Sequence, residues 1–386
     1  MKLRKEIVGL KEDSIKIRRT LHTFPEEGFK EFKTSNYIKD YLVSLGLVAG
    51  TVAQTGVYSF IEGENTHRCI AFRADMDGLS VCENTGVEFK SEHESMMHAC
   101  GHDGHMTILL LLAKYLTQSN LKPKCNILLI FQPAEEGPGG AKQIVDEGLL
   151  TKYQVNEIYG THLMPSVNEG VISVRSGAMM AQTGEVYIEI KGKSSHGAAP
   201  HQGTDAVVIA AGFIQALQTI VSRNVNPIKT SLISIGTISG GERLNVVAKS
   251  VKLAGTMRSY EEKVYEDMKS RVIEIAEGFQ VAFNCDIKCD FIDMYPPVTN
   301  DVKLYDKFIE LMDKDEYEEA EPLMIAEDFS FYQKTIPGLF FYLGSKNEIK
   351  NFTYGLHDSK FNFDEEILLN GVEIYARIID RESTFN

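Results

Sequence analysis

Positive charge is what this sequence has too little of. Its 386 residues carry 40 Lys and Arg against 54 Asp and Glu, a formal net charge of −14. Phosphate binding wants a basic face, so nucleic acid is excluded as the expected partner. A small anionic substrate is not excluded, because one local arginine overrules the global sign. Long apolar runs are also missing. The run Ile108–Ala113 is far too short to cross a bilayer, and the amino-terminal stretch alternates in charge without an apolar core. Neither a membrane partner nor a secretory signal is therefore expected. Cysteine is sparse, at positions 69, 82, 100, 125, 285 and 289, with no CxxC pair and no compact framework. Scattered thiols in a long chain without a signal read as cytoplasmic, and Cys285 and Cys289 as packing residues. Repeats, low-complexity tracts and long linkers are absent too. What is left is an ordinary globular composition, 43% apolar and 24% charged, in a chain longer than one compact core usually supports.

The rhythm of the chain predicts its architecture. Residues 1–45 read as helical, with a breaker at Pro25. Strand-like runs RCIAFRAD, KCNILLIFQ and NEIYGTHL then alternate with helical patterns at 105–117 and 141–149. Such alternation predicts an α/β domain with a largely parallel sheet and helices on both faces. Near residue 183 the pattern changes. EVYIEIKG alternates as a half-buried strand; a helix follows over 204–222, strands over 230–239 and 247–258, a helix over 260–280 and a strand over 281–292. That order is βαββαβ, a ferredoxin-like two-layer sandwich. The α/β rhythm resumes after YPPVTN. The expected organisation is a catalytic domain over 1–182 and 294–386, interrupted by an inserted domain over 183–293.

What the sequence does have is a knot of histidine. Of 10 histidines in the chain, three fall in HACGHDGH, residues 98–105. Cys100 and His102 offer thiolate and imidazole, the donors that suit zinc and similar divalent metals. The plainer alternative is a helix start capped by Asp103. In ILLIFQPAEEGPGGA a buried strand ends at Gln132, and Glu135 and Glu136 stand on the turn beyond it. Ligands of open α/β sheets bind beyond the carboxyl ends of strands. Adjacent side chains point apart, so one glutamate can ligate a metal while the other holds its water; the alternative is a solvated acidic turn. IYGTHLMP is expected to place His162 at the end of another strand, and His357 sits in a loop before the last helix. Cys100, His102, Glu136, His162 and His357 are five potential ligands on one edge, more than one catalytic zinc uses and suited to a two-metal centre. The inserted domain contributes GKSSHGAAPHQGTDA with His196 and His201 in a small-residue loop, then Asn245 and Arg258. Arginine is the natural bidentate partner of a carboxylate, although a structural ion pair is its commoner fate.

Taken in order, RRTLHTFPEEGFKE, RADMDGL, HACGHDGH, FQPAEEGPGGA, THLMP, SSHGAAPHQGTDA, AEDFSFY and GLHDSKF resemble the aminoacylase and carboxypeptidase-like family of two-metal peptidases. The likeness is to its amidohydrolase branch, with auxin-conjugate hydrolases, hippurate hydrolases and N-acetyl-diaminopimelate deacetylases. The broader family has a histidine ligand where this chain has Arg73. The resemblance implies two divalent ions per subunit (zinc, manganese, cobalt or nickel) held by Cys100, His102, Glu136, His162 and His357. It implies Glu135 as catalytic base, and His196 reaching from a partner's inserted lid domain to the oxyanion, hence a homodimer through that domain. Asn245 and Arg258 are implied to hold the substrate carboxylate, and Glu327 and Asp328 to support the site from behind. This chain reads NVVAK where the branch often has NVIPD. The implied reaction is hydrolysis of an N-acyl amino acid such as an N-acetyl or N-benzoyl derivative. A dipeptidase or aminopeptidase on the same centre, and a non-catalytic metal- or small-molecule-binding protein, stay open as alternatives.

Overall fold

The computed structural model describes residues 1–118 and 122–381, and the described chain divides into two compact units. The first comprises 1–179, 299–321 and the chain from 328 onward; the second comprises 180–298 and 322–327. The return of 322–327 to the inserted unit leaves no mark in the hydropathy rhythm. Residues 382–386, at the end of the third expected segment, lie outside the described residues.

In the first unit the chain opens with helices α1 (Lys5–Val8), α2 (Lys11–His22) and α3 (Phe32–Ser44). Strands β1 (Ala49–Val52), β2 (Gly56–Ile61) and β3 (Asn65–Asp75) lead to α4 (His102–Gln118), and β4 (Cys125–Gln132) leads to α5 (Gly140–Asp146) and α6 (Leu149–Lys152). Strands β5 (Val155–Asn168) and β6 (Ile172–Val174) end this stretch. Every residue of β4 is buried, which is what a strand covered on both faces requires. The helical pattern expected over 141–149 is two helices, because Gly148 adopts the left-handed conformation (φ 77°) between them.

The inserted unit runs β7 (Gln182–Lys191), α7 (Ala206–Thr219, extended by a π-turn to Asn224), β8 (Ser231–Gly240), β9 (Ser250–Ser259), α8 (Glu262–Phe283) and β10 (Asp286–Asp293). Its antiparallel sheet has the order β10-β7-β9-β8, the ferredoxin-like arrangement. Helix α8 runs through 281–283, which the sequence pattern gives to the last strand. It stops where Asn284 takes the left-handed cap (φ 50°). By length and composition alone, 206–224 is apolar enough to cross a membrane, but Ile209, Phe213, Leu217 and Ile220 are buried in the core of this unit.

The first unit resumes with α9 (Val302–Ile309), β11 (Tyr317–Glu319), α10 (Ser330–Gln333), β12 (Gly338–Lys346) and α11 (Leu368–Arg381). Its sheet has the order β1-β2-β4-β3-β5-β12-β6-β11, with a parallel centre from β4 to β12. Helices α2, α4 and α11 pack on one another, and α10 packs on α5. Parallel pairing brings the carboxyl ends of the central strands to one edge, with Asp75 level with Gln132.

Candidate metal centre

The loop from β3 returns at Gly101 (φ 89°) into α4, which begins at His102. Asp103 therefore lies inside the first turn and is not the cap. Its buried carboxylate instead faces Arg18 Nε at 2.9 Å and His22 Nδ1 at 2.7 Å, tying the start of α4 to α2. Two positions earlier Cys100 lies with its Sγ 3.3 Å from Nε2 of His162, on β5, and 3.4 Å from Nε2 of His357. His357, itself left-handed (φ 64°), places Nε2 3.2 Å from Glu136 Oε1. The five predicted ligands are thus gathered in one place. Together with Glu135 they form overlapping trios of donor atoms: Cys100, His102 and His162; Cys100, Glu136 and His357; and His102, Glu135 and Glu136. Cys100, His102 and Glu136 are each common to two of them, so the trios join into one continuous donor cluster.

Several details fit cations. His102 Nδ1 donates to the Asp77 carbonyl at 2.9 Å, and His162 Nδ1 donates to the Leu163 carbonyl at 2.7 Å. Both rings therefore turn Nε2 toward the cluster, the second-hydrogen-bond pattern that orients metal-bound histidine. His102 Nε2 is buried without a hydrogen-bond partner, 3.7 Å from Asp75 Oδ2 and 3.9 Å from Glu135 Oε2. Burial works against a charge on His102, but Asp75 and then Asp77 outweigh it and push its pKa up to about 10. Burial and the carboxylates of Glu136, Glu135 and Asp75 drive the Cys100 thiol well above its ordinary value. A site that traps protons on a histidine and a thiol is one short of positive charge, and bound divalent ions would supply it. Burial keeps His162 neutral, the form that ligates.

Behind the predicted ligands lies a layer of which the sequence reading assigned only Glu327 and Asp328. Leu163 N–H donates to His105 Nε2 at 2.9 Å, so His105 donates from Nδ1 to Asp75 Oδ1 at 2.6 Å. Both nitrogens of His105 are thus engaged in hydrogen bonds, to Leu163 and to Asp75. Arg73, fully buried, donates to Asp75 at 2.7 Å, to Asp328 at 2.9 Å and to Gln132 at 2.8 Å. The signals were present: Arg73 and Asp75 share one face of β3, and His105 lies one turn beyond His102 on α4. In the inserted unit, His196 pairs with Val246 across an isolated bridge, and Gly197 N–H donates to the Asn245 carbonyl at 2.8 Å. His196 and Asn245 are thus neighbours. Arg258, on β9, donates from Nε to the Met324 carbonyl at 2.8 Å and from a terminal nitrogen to Thr256.

A partly parallel α/β unit interrupted by a βαββαβ insertion, with thiol, imidazole and carboxylate donors gathered from β5 and from the loops and helix start around it, defines a dinuclear-metallopeptidase type of scaffold. The chain belongs to peptidase family M20/M25/M40, whose model matches residues 71–381. It is 42% identical over 372 residues to an N-acetyldiaminopimelate deacetylase of Exiguobacterium sibiricum, covering 95% of this chain and 99% of that protein. A second such deacetylase, from Shouchella clausii, is 40% identical over 94% of this chain and 96% of its own length. The crystal structure of a dinuclear metal binding peptidase of the M20 family from Bacillus subtilis superposes with a TM-score of 0.86 at 29% identity, covering 98% of this chain and 100% of that one.

Proposed function

We propose that this protein is a metal-dependent amidohydrolase that splits N-acyl amino acids into a carboxylic acid and a free amino acid. The observation that carries the reading is the adjacent pair on the turn after β4. Glu136 faces His357 at 3.2 Å, while Glu135, buried at 6% exposure, faces the other side of the cluster with Oε2 3.9 Å from His102 Nε2. One carboxylate is available to ligate and its neighbour to move a proton.

When bound, two divalent ions supply the positive charge that makes water acidic near neutral pH and polarises an amide carbonyl. Cys100, His102, Glu136, His162 and His357 would hold them. The thiolate suits zinc, while the imidazoles and carboxylates admit manganese, cobalt or nickel. Glu135 takes the proton of the attacking water and returns it to the amide nitrogen, which leaves only once protonated. His196 donates to the carbonyl oxygen as it becomes anionic, a contribution of about 2.7–4 kcal/mol for one well-placed donor. Ala198 N–H donates to its Nδ1 at 3.0 Å, which leaves Nε2 as the protonated nitrogen. Arg258 and Asn245 receive the substrate carboxylate, and the fixed Nε of Arg258 presets the guanidinium for it.

We read the molecule as a homodimer joined through the inserted units, with His196 serving the partner's centre. Strand β8 is an edge of its sheet, and SLISIGTISG contains no charge or proline to discourage pairing with a second copy. All six cysteines are free thiols, which favours a cytoplasmic setting. The two deacetylase relatives make N-acetyldiaminopimelate the first substrate to try.

The test is amine release by chelator-stripped protein, with and without added manganese or zinc. The panel holds N-acetyldiaminopimelate, other N-acetyl and N-benzoyl amino acids, and free dipeptides. Metal-dependent release from an acylated amino acid is expected, and Glu135→Gln should abolish it while keeping the metal. Cleavage of dipeptides alone, or full turnover by that variant, overturns the reading.

A further inference from the structure

The motif FPEEGFKE, residues 24–31, contributes nothing to the mechanism above, yet it folds directly against the turn that carries Glu135. Its last residue, Glu31, is fully buried. Glu31 Oε1 accepts the backbone N–H of Ala134 at 2.9 Å, and Oε2 accepts the hydroxyl of Thr55 at 2.5 Å. Ala134 is left-handed, with φ 54°, a conformation that a non-glycine residue keeps only when its surroundings impose it. The surroundings here are specific. The Ala134 carbonyl accepts from Gly139 N–H at 3.0 Å and Gly140 N–H at 3.1 Å, so the peptide units on both sides of Ala134 Cα are held. Gly28 of the same motif closes the seat: a Cβ there would stand 2.7 Å from the Gly137 carbonyl oxygen and 2.8 Å from Ala134 Cβ. On the far side Asp77 Oδ2 accepts the Glu136 N–H at 3.0 Å. Glu135 is therefore the residue between two backbone amides, each anchored by a buried carboxyl group.

We propose that Glu31 is a positioning residue for Glu135. By holding Ala134 left-handed it fixes the direction in which the next side chain leaves the turn. It touches neither the ligand set nor the reacting atoms, and the inference rests on the reading of Glu135 as the proton carrier. A displacement of about 1 Å in a group that must meet a proton in line costs on the order of 10²-fold in rate. A glutamine at 31 keeps an oxygen for Ala134 and an amide for Thr55, whereas an alanine keeps neither.

The experiment compares Glu31→Ala and Glu31→Gln, each in the wild-type and the Glu135→Asp backgrounds, using the acylated amino acid that the wild type hydrolyses best. Initial rates give kcat and KM, and elemental analysis gives metal content. Glu31→Ala should lower kcat roughly 10²-fold with KM and metal content unchanged. Glu31→Gln should retain most of the rate. In the Glu135→Asp background, where the carboxylate is already withdrawn, Glu31→Ala should cost far less, the mark of two residues acting as one unit. The inference is overturned by a normal kcat in Glu31→Ala, by a loss that follows metal content, or by a full additive loss in the Glu135→Asp background. Should Glu31→Ala not fold, Thr55→Val carries the test: a several-fold fall in kcat with metal retained supports the role, and an unchanged kcat ends it. An inactive Glu135→Gln beside a normal Glu31→Ala defeats this inference alone. An active Glu135→Gln defeats the base assignment and this inference with it.

Discussion

At the scale of single residues, the donor types were legible and their support was not. Cys100, His102, Glu136, His162 and His357 are residues that chemistry singles out, and four short motifs carry them. Local spacing puts Asp75 beside Arg73 and His105 one turn from His102, but the contacts that give them and Glu31 a role run across 30 or more positions, 75 to 105 and 31 to 134. Cys100 shares trios with His102 and Glu136 and has its Sγ within 3.4 Å of both His162 and His357, so Cys100→Ser should lower metal content from about two ions per chain toward one. Cobalt-loaded wild type should show a thiolate-to-metal absorption band that the serine variant lacks. Retention of both ions and the band would place the thiol outside the centre. Glu31 yields a pH prediction. Burial first, with Asp77 adding to it, pushes its carboxyl up to about 7, while the bonds from Thr55 and Ala134 pull the other way. A raised carboxyl pKa stabilises the fold below the unfolded value of about 4.3, and that contribution is lost as pH rises through 7. Glutamine does not titrate. Urea unfolding should therefore show Glu31→Gln gaining stability relative to wild type between pH 5 and pH 8, and a constant difference would refute the assigned burial cost.

At the scale of elements, periodicity gave the order of strands and helices, while their ends obeyed caps and tertiary contacts. Helix α4 starts at His102, earlier than the apolar pattern does, because Gly101 turns left-handed and Asp103 is spoken for by α2. Helix α8 overruns its expected end for the converse reason: beyond residue 280 the left-handed cap is first taken by Asn284. The segment between β4 and α5 is the most constrained connection in the site. A Cβ at Gly140 would lie 1.9 Å from the Pro133 carbonyl oxygen, a backbone atom that no rotamer change can move. Gly140→Ala should therefore cost about 3 kcal/mol despite the better helix propensity of alanine, and should lower kcat as the turn shifts. Thermal unfolding together with steady-state rates checks both. A variant of wild-type stability would mean that the turn has room that its backbone does not show.

At the scale of the whole molecule, the alternation of strand and helix foretold an interrupted α/β unit, but a single chain's hydropathy does not report what faces a second copy. The net charge of −14 opposes self-association in general, so pairing of two chains needs a neutral strip, and β8 offers one on an open sheet edge. Ile238, 58% exposed on that strand, is the position to charge. Sedimentation should show a dimer for the wild type and a monomer for Ile238→Lys. Dimerisation alone would not establish that His196 works in the partner's centre, so a second measurement is needed. His196→Ala and Glu135→Gln chains should each be inactive as homodimers. After mixing and subunit exchange, a mixed pair has one centre with Glu135 intact and His196 supplied by the Glu135→Gln chain, and activity should return. The same mixture made from chains that also carry Ile238→Lys should stay inactive. If activity does not return although mixed dimers form, His196 serves its own chain, and the inserted unit is a lid and a dimer contact but not a shared part of the centre.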